Sequence, residues 1–262
     1  MDVLAPQTLA DALRMKAERP QAVPIQGGTD VMVELNFDRV RPEALLNLNE
    51  VAELRGWSRE NGSIRLGAAL TYTEAMEAPL AERLPALAEA SRTVGGPQIR
   101  NRATIGGNLG TASPAGDALP PLLIGGAVVE LASVRGTREL ALTEFLTGSK
   151  RNALAPDELI AGVRVADTGR ETFMKVGPRN AMVIAVVSLA LVVDRERDEV
   201  RAAFGSAGPV PGLVAAPLAD LDGFPERVAA AASPIDDVRG SAAYRRHSLR
   251  VLTARALERC LQ

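Results

Sequence analysis

The chain has 262 residues, 47% of them hydrophobic, so it can bury a substantial core as one large domain or two smaller ones. Its formal net charge of -2 at pH 7 argues against a nucleic-acid partner, because phosphate neutralisation needs clustered lysine and arginine. The single cysteine and the single histidine exclude disulfide frameworks, zinc sites built from these residues, and all-cysteine iron–sulfur clusters within this chain.

The first residues, MDVLAPQTLADAL, lack the basic flank and the long apolar run of a secretory signal. No segment approaches the ~20 uncharged apolar residues that a membrane span requires. We therefore expect a cytoplasmic protein.

The N-terminal part of the chain alternates between helical and extended patterns. Apolar residues at helical spacing predict a helix over residues 8–18, with Pro20 beyond it as a stop signal. A strand over 22–25, a glycine turn (QGGTD), a short helix and a strand over 45–48 follow. This alternation predicts a compact α/β unit in the first ~55 residues.

A helical segment precedes the most unusual stretch of the sequence. Thr71 and Glu74 have capping-box spacing, and residues 79–94 predict a longer helix with one apolar face. The stretch over 103–121, ATIGGNLGTASPAGDALPP, is rich in glycine, proline and hydroxyl groups. We expect it to be a loop that holds a phosphate or a cofactor, and not a packing element.

The remaining sequence predicts more strands and then two helices. Residues 128–131 and 139–142 alternate like a hairpin, and residues 159–165 predict another strand. Beyond Asp167, three consecutive strands are predicted over 172–176, 183–193 and 200–206, with helices over 225–233 and 241–261. Strands followed by helices indicate a separate α+β domain, and we expect domains of residues 1–167 and 168–262.

The two glycine-rich segments do not fit the nucleotide motifs that spacing alone identifies. The sequence contains no GxxxxGK[ST] motif, and the turn after the first strand lacks GxGxxG spacing. Both segments nevertheless offer backbone N–H groups without obstructing side chains, which is how proteins hold anions. From these residues a phosphate-bearing cofactor and simple tight turns both remain open.

Five segments, in the same order along the whole chain, resemble the FAD-binding medium subunit of the molybdenum hydroxylases, the xanthine and carbon monoxide dehydrogenase family. They are GGTD at 27–30, VGGPQIRNRATIGGNLGTASPAGDALPPLL at 94–123, LAPDELI at 154–160, FMKVGPRNAMVIAVVSLAL at 173–191 and PIDDVRGSAAYRRHSLRVL at 234–252. The resemblance implies an α+β fold: a two-subdomain FAD-binding region of the vanillyl-alcohol-oxidase or PCMH type, with subdomains of about 1–55 and 56–167. A small C-terminal domain with a three-stranded antiparallel sheet and helices would follow.

The resemblance also implies which residues bind FAD. The first FAD loop would comprise Gln26, Gly27, Gly28, Thr29, Asp30 and Val31, with backbone amides on the pyrophosphate. The second would comprise Ala103, Thr104, Gly107, Asn108, Thr111 and Asp117. Leu159 or Ile160 would contact the flavin ring, and Lys175 would reach the cofactor from the C-terminal domain. No catalytic residue and no metal ligand are expected on this chain.

The resemblance finally implies partners. A molybdenum–pterin cofactor on a large subunit and [2Fe–2S] clusters on a small subunit would pass electrons to this FAD, and then to NAD⁺, a quinone or another acceptor. A dimer of heterotrimers is expected. The QGGTD turn lacks the histidine-serine pair of carbon-monoxide-oxidising members, which argues against that substrate. Two alternatives remain open: a self-contained FAD-dependent reductase or oxidase of the same broader fold, and a scaffold that has lost its flavin.

Overall fold

The computed structural model of the protein describes residues 1–167, 170–180 and 182–262. The N-terminal unit is a parallel sheet of three strands, in the order β1-β3-β2. Its elements are β1 (Asp2–Leu4), α1 (Leu9–Glu18), β2 (Val23–Ile25), α2 (Val31–Asn36) and β3 (Ala44–Asn47). The predicted α/β unit is therefore present, with β1 as an additional strand.

The start of α1 shows why this segment is helical. The Thr8 hydroxyl accepts a hydrogen bond from the N–H of Asp11 at 3.1 Å, which satisfies one of the unpaired donors of the first turn. Near the other end, the Lys16 ammonium donates to the carbonyls of Pro20 and Ala22, each at 2.7 Å. These bonds hold the turn that leads into β2 and hence into the first glycine segment.

The second sheet has five antiparallel strands in the order β4-β5-β10-β6-β7. These strands are β4 (Trp57–Glu60), β5 (Ser63–Gly67), β6 (Val128–Ser133), β7 (Gly136–Ala141) and β10 (Leu159–Ala166). A small pair, β8 (Leu146–Gly148) and β9 (Arg151–Asn152), lies between β7 and β10 in sequence. The hairpin and the strand β10 were predicted, whereas β4 and β5 were not.

Six short helices accompany this sheet: α3 (Leu80–Arg83), α4 (Pro85–Thr93), α5 (Pro97–Arg100), α6 (Ile105–Thr111), α7 (Leu119–Ile124) and α8 (Leu142–Phe145). The single helix predicted over 79–94 is wrong, because Pro85 begins a new helix and Leu84 takes a non-helical conformation. The capping-box bonds between Thr71 and Glu74 do form, but they open only one 3₁₀ turn, Glu74–Met76.

The glycine-rich stretch is not the loop that its composition predicts. Residues 105–111 form α6 and residues 119–121 begin α7, whereas residues 112–118 between them belong to neither helix; every residue of α7 is buried. Pro120 and Pro121 lie in the first turn of α7, where the missing N–H groups have no helical acceptor to lose. This stretch therefore packs and also borders the cleft described below.

The C-terminal part is a four-stranded antiparallel sheet with two helices. Its elements are β11 (Arg170–Val176), β12 (Val187–Asp194), β13 (Glu199–Gly205), β14 (Gly212–Pro217), α9 (Phe224–Ala231) and α10 (Ala242–Leu261). The prediction of a three-stranded sheet is thus wrong, because β14 pairs with β13 as a fourth strand. The predicted strand over 183–193 begins only at Val187.

Both faces of this third sheet are covered, which explains why all eight residues of β12 are buried. Val187, Leu189 and Leu191 face a core shared with α9 and α10. The alternate residues Ala190 and Val192 join the core of the second unit, against which α4 and α7 pack. The N-terminal and C-terminal parts are consequently in extensive contact.

The predicted domain boundary falls between residues 167 and 168. Thr168 and Gly169 lie outside the described residues, and the boundary stays a prediction. In the part of the chain that the structure describes, no helix is both long and apolar enough to cross a membrane.

The contact between α4 and β11 includes a carboxyl group with an unusual proton affinity. Glu171 accepts a hydrogen bond from the Ala86 N–H at 3.0 Å. Burial, with Glu89 and Asp167 nearby, raises the pKa of Glu171 from 4.5 to about 8. The folded chain therefore keeps a proton that the unfolded chain releases between these two pH values.

We expect the free energy of unfolding to fall as the pH rises from 5 to 8, by at most about 1.4 kcal/mol per pH unit from this group. Glu171→Gln keeps the acceptor oxygen but cannot ionise. The free energy of unfolding of this variant should therefore exceed that of the wild type by an amount that grows toward pH 8. Urea denaturation across this range measures the difference. The matched change at exposed Glu226, Glu226→Gln, should preserve the wild-type pH profile. A Glu171→Gln profile parallel to the wild type would contradict the assignment.

Candidate functional site

A cleft of about 470 Å³ lies between the N-terminal sheet and the second sheet. Three segments that are distant in sequence line it: the first glycine segment (26–31), the second glycine segment (103–111) and residues 154–160. Its volume is typical of a small-molecule site. Thirteen of the fifteen predicted binding residues line it: Gln26, Gly27, Gly28, Thr29, Asp30, Val31, Ala103, Thr104, Gly107, Asn108, Thr111, Leu159 and Ile160.

The first glycine segment follows directly from the end of β2. Gly28 has a φ of +75°, a conformation that side-chain-bearing residues rarely adopt. At Gly27 the reason is space, because a Cβ atom there would lie 2.1 Å from the carbonyl oxygen of Arg102. Among the described residues, the N–H groups of residues 27–30 have no hydrogen-bond acceptor. They are free to bind an anion in the cleft.

Backbone hydrogen bonds attach the second glycine segment to the residues that follow β5. The N–H groups of Ile105 and Gly106 donate to the carbonyls of Leu70 and Ala68, at 2.9 and 2.8 Å. A Cβ atom on Gly106 would lie 2.6 Å from the carbonyl oxygen of Ala68. Only glycine permits this close approach of α6 to the second sheet.

Two side-chain hydrogen bonds hold the first glycine segment, one from the second segment and one from Arg102 directly before it. The Arg102 guanidinium donates to the Gln26 carbonyl at 3.1 Å, and the Thr111 hydroxyl donates to the Asp30 carboxylate at 2.6 Å. Asp30 occupies the position before α2 but makes no capping bond. The structure thus brings the predicted residues Asp30 and Thr111 together, as partners of each other at the cleft wall.

Polar atoms inside the cleft lack partners. The side-chain oxygens Gln26 Oε1 and Asn108 Oδ1 are buried and accept no hydrogen bond from any described residue. Buried acceptors are normally satisfied, so these two atoms indicate a ligand with donor groups. Leu159 and Ile160, at the start of β10, supply a buried apolar wall beside α6. No cluster of histidine, cysteine or carboxylate ligands suited to a metal ion occurs within the described ranges.

Asp117 and Lys175 do not line the cleft; they form an ion pair behind its wall. Their Oδ2 and Nζ atoms are 2.5 Å apart, and both side chains are buried. Lys175 also donates to the Thr93 carbonyl at 3.3 Å, next to the cleft residue Val94. Burial raises the pKa of Asp117, and the Lys175 ammonium opposes that rise. The pair joins β11 to the segment between α6 and α7.

Sequence reasoning missed several lining residues, including Leu54, Ala69, Tyr72 and Val94. None belongs to a glycine segment. Tyr72 reaches the cleft because its N–H donates to the Ala103 carbonyl at 3.2 Å, in register with an isolated bridge between Thr71 and Thr104. This pairing between distant segments leaves no pattern in the sequence.

Comparison with known proteins places this geometry among flavoproteins. Residues 1–166 match the family described as the FAD binding domain in molybdopterin dehydrogenase. The xanthine dehydrogenase FAD-binding subunit of Escherichia coli O157:H7 is 34% identical over 269 residues, covering 95% of this chain and 92% of that protein. The nicotinate dehydrogenase FAD-subunit of Eubacterium barkeri is 36% identical over 202 residues, covering 73% of this chain and 68% of that protein.

Solved structures share the fold over the whole chain. Reconstituted CO dehydrogenase from Oligotropha carboxidovorans matches with a TM-score of 0.91 and 25% identity, covering 99% of this chain and 97% of that one. CO dehydrogenase from Hydrogenophaga pseudoflava, at a TM-score of 0.90 and 24% identity over 100% of this chain and 97% of that one, shows the fold alone. The predicted fold class and family resemblance are confirmed.

We expect Gly106→Ala to destabilise the protein by about 1–3 kcal/mol, because the new methyl group would overlap the Ala68 carbonyl. The matched variant is Gly110→Ala in the same helix, where a Cβ atom would meet only the Ile160 side chain at an ordinary 3.8 Å. It should be neutral or stabilising by up to about 1 kcal/mol. Urea denaturation of both variants measures this. Equal midpoints would show that α6 does not depend on the close approach.

Lys175→Met removes the cation from the buried pair and should cost about 3–5 kcal/mol at neutral pH, because Asp117 would remain buried as an unpaired charge. The loss should shrink as the pH falls, since protonated Asp117 needs no cation. Adding Asp117→Asn should recover most of it. Denaturation at several pH values tests this, with Lys150→Met at an exposed position as the control. A loss independent of pH would contradict the pairing argument.

Proposed function

The chain belongs to the FAD-binding family of the molybdopterin dehydrogenases, and we propose that its FAD takes electrons from [2Fe–2S] clusters of a small subunit and passes them to NAD⁺, a quinone or another acceptor. As in its relatives, it is the flavin-binding subunit of an oxidoreductase. Hydroxylation of the substrate would take place on a separate molybdenum–pterin subunit.

One observation carries the proposal: the cleft presents two glycine segments with free N–H groups beside unpaired buried side-chain oxygens. FAD needs both features, since its pyrophosphate is an anion and its sugar hydroxyls are donors. The residues present therefore fit the cofactor. The N–H groups of residues 27–30 would hold the pyrophosphate, and Gln26 Oε1 and Asn108 Oδ1 would accept bonds from hydroxyl groups.

The ring of the flavin belongs at the apolar part of the cleft. Val94, Leu159 and Ile160 lie there and would exclude water from it. Asp117 and Lys175 stand behind Val94, and we propose that they act on the ring from that side. The Lys175 ammonium favours negative charge on the ring, and the Asp117 carboxylate offsets part of this effect. Bound FAD supplies the exchange between one-electron and two-electron carriers.

The iron–sulfur clusters must reside on another polypeptide. Cys260 is the only cysteine of the chain, it is 2% exposed, and burial raises its pKa to about 11. A neutral, enclosed thiol is not a cluster ligand. We therefore propose the molybdenum-binding large subunit and the [2Fe–2S] small subunit as partners, in a dimer of heterotrimers. Cytoplasmic location stays a prediction.

The predicted residue roles belong to this proposal. Asp30 would orient a ribose or ribityl hydroxyl while bonded to Thr111. The Thr104 hydroxyl accepts a hydrogen bond from the Gly107 N–H at 3.0 Å. Thr104 would therefore stabilise the conformation of the second glycine segment more than it would contact the cofactor. The self-contained reductase gains no support from the cleft, and the relatives' own names describe subunits.

The deciding experiment is to purify the chain through an affinity tag, together with the proteins that accompany it, and to record its visible absorbance. We expect flavin and iron–sulfur absorbance together, with about one FAD per chain after acid release. Anaerobic reduction of the complex should bleach the flavin band as the clusters are reduced. A flavin-loaded monomer that oxidises NAD(P)H by itself would favour the self-contained reductase. A chain that binds no added FAD would contradict both functions.

A further inference from the structure

Tyr72 is the polar side chain of the cleft to which neither the sequence nor the fold gives a role. It is 3% exposed, and it lines the cleft between the two glycine segments. Its backbone is fixed to the second segment by the bond to Ala103 at 3.2 Å. The backbone of Tyr72 is therefore fixed beside the second segment, and its side chain is enclosed in the wall of the cleft.

The hydroxyl of Tyr72 has no hydrogen-bond partner among the described residues. Because Tyr72 is one of the residues that line the cleft, a ligand there can approach this hydroxyl. A tyrosine this deeply buried usually pairs its hydroxyl, because an unpaired one is costly. A bound ligand would supply the missing partner.

The charges around this hydroxyl select the kind of partner. Burial raises the pKa of Tyr72, and the nearby Asp117 and Asp30 raise it further, so the group stays a neutral donor. A phosphate oxygen placed there would be repelled by the Asp30 carboxylate, which lines the cleft and has no cationic partner among the described residues, whereas the Asp117 carboxylate is paired with Lys175. A sugar hydroxyl would not be repelled. Its oxygen can accept the hydrogen bond from Tyr72, and its own O–H can donate a hydrogen bond to a carboxylate.

We propose that Tyr72 is a cofactor-binding residue whose hydroxyl donates a hydrogen bond to the ribityl chain of FAD. The ribityl chain is chosen over the ribose because Tyr72 interacts electrostatically with Asp117, whose ion pair with Lys175 we place beside the flavin ring. This inference rests on the proposed function. It adds a contact outside the glycine segments that would fix the chain linking ring to phosphate.

The test measures FAD affinity of the full-length chain, freed of flavin, by quenching of flavin fluorescence. Tyr72→Phe keeps the ring and removes only the hydroxyl. We expect the Kd for FAD to rise about 3- to 10-fold, as for the loss of one hydrogen bond. FMN, which carries the ribityl chain but no adenosine, should lose affinity by the same factor when it competes with FAD. Tyr244→Phe, at the only other tyrosine and 49% exposed, is the control.

The stability of the flavin-free variant separates binding from packing. Because the hydroxyl has no partner in the empty cleft, Tyr72→Phe should leave the unfolding midpoint unchanged. An unchanged Kd for FAD would overturn the proposal, and so would a loss confined to FAD, which would place Tyr72 at the adenosine or the phosphates. A lowered midpoint with unchanged affinity would make Tyr72 a structural residue. If the wild-type chain itself bound no FAD, the proposed function would fall as well.

Discussion

The cleft depends on one steric constraint, the contact of the first glycine segment with the backbone of Arg102. Because Gly27 has no Cβ atom, the turn after β2 can lie directly on the Arg102 carbonyl, where any side chain would overlap it. The same arginine uses its guanidinium to bond the Gln26 carbonyl and the Asn49 side chain. Arg102, which directly precedes the second glycine segment, therefore fixes the position of the first glycine segment.

The opposite wall is fixed by the C-terminal part. The Ser206 N–H donates to the Pro114 carbonyl at 2.7 Å, immediately after β13. On β11, the N–H of Phe173 and the hydroxyl of Thr172 both donate to the Glu89 carboxylate in α4, at 2.7 and 2.9 Å. With the buried ion pair, these bonds connect the third sheet to both ends of the segment that contains α6. The C-terminal part thus supports the cleft although none of its described residues is among those that line it.

Local patterns predicted the elements that carry a strong period or a clear boundary signal. The helix α10 with its Ser241 cap and the glycine turn after β2 are of this kind. The strands β4 and β5 were missed because WSRE and SIRLG are short and charged, and β5 owes its place to pairing with β10, almost a hundred residues later. The edge strand β14 was missed because it begins at Gly212, in a stretch whose prolines and glycines are typical of a loop. The glycine-rich composition predicted a loop that holds a phosphate or a cofactor, and it did not reveal that α6 and α7 also pack. Tyr72 and the ion pair between Asp117 and Lys175 depend on contacts between distant segments, which no local pattern encodes.

The separation of the buried ion pair along the chain bears on the order in which the protein forms during synthesis. Asp117 emerges from the ribosome 58 residues before Lys175. Until Lys175 has followed, the carboxylate must stay hydrated or take up a proton, and the segment between α6 and α7 cannot close stably over it. A chain that ends before β11 would therefore lack the cation that this carboxylate needs, and the wall of the cleft behind Val94 would be left without its support.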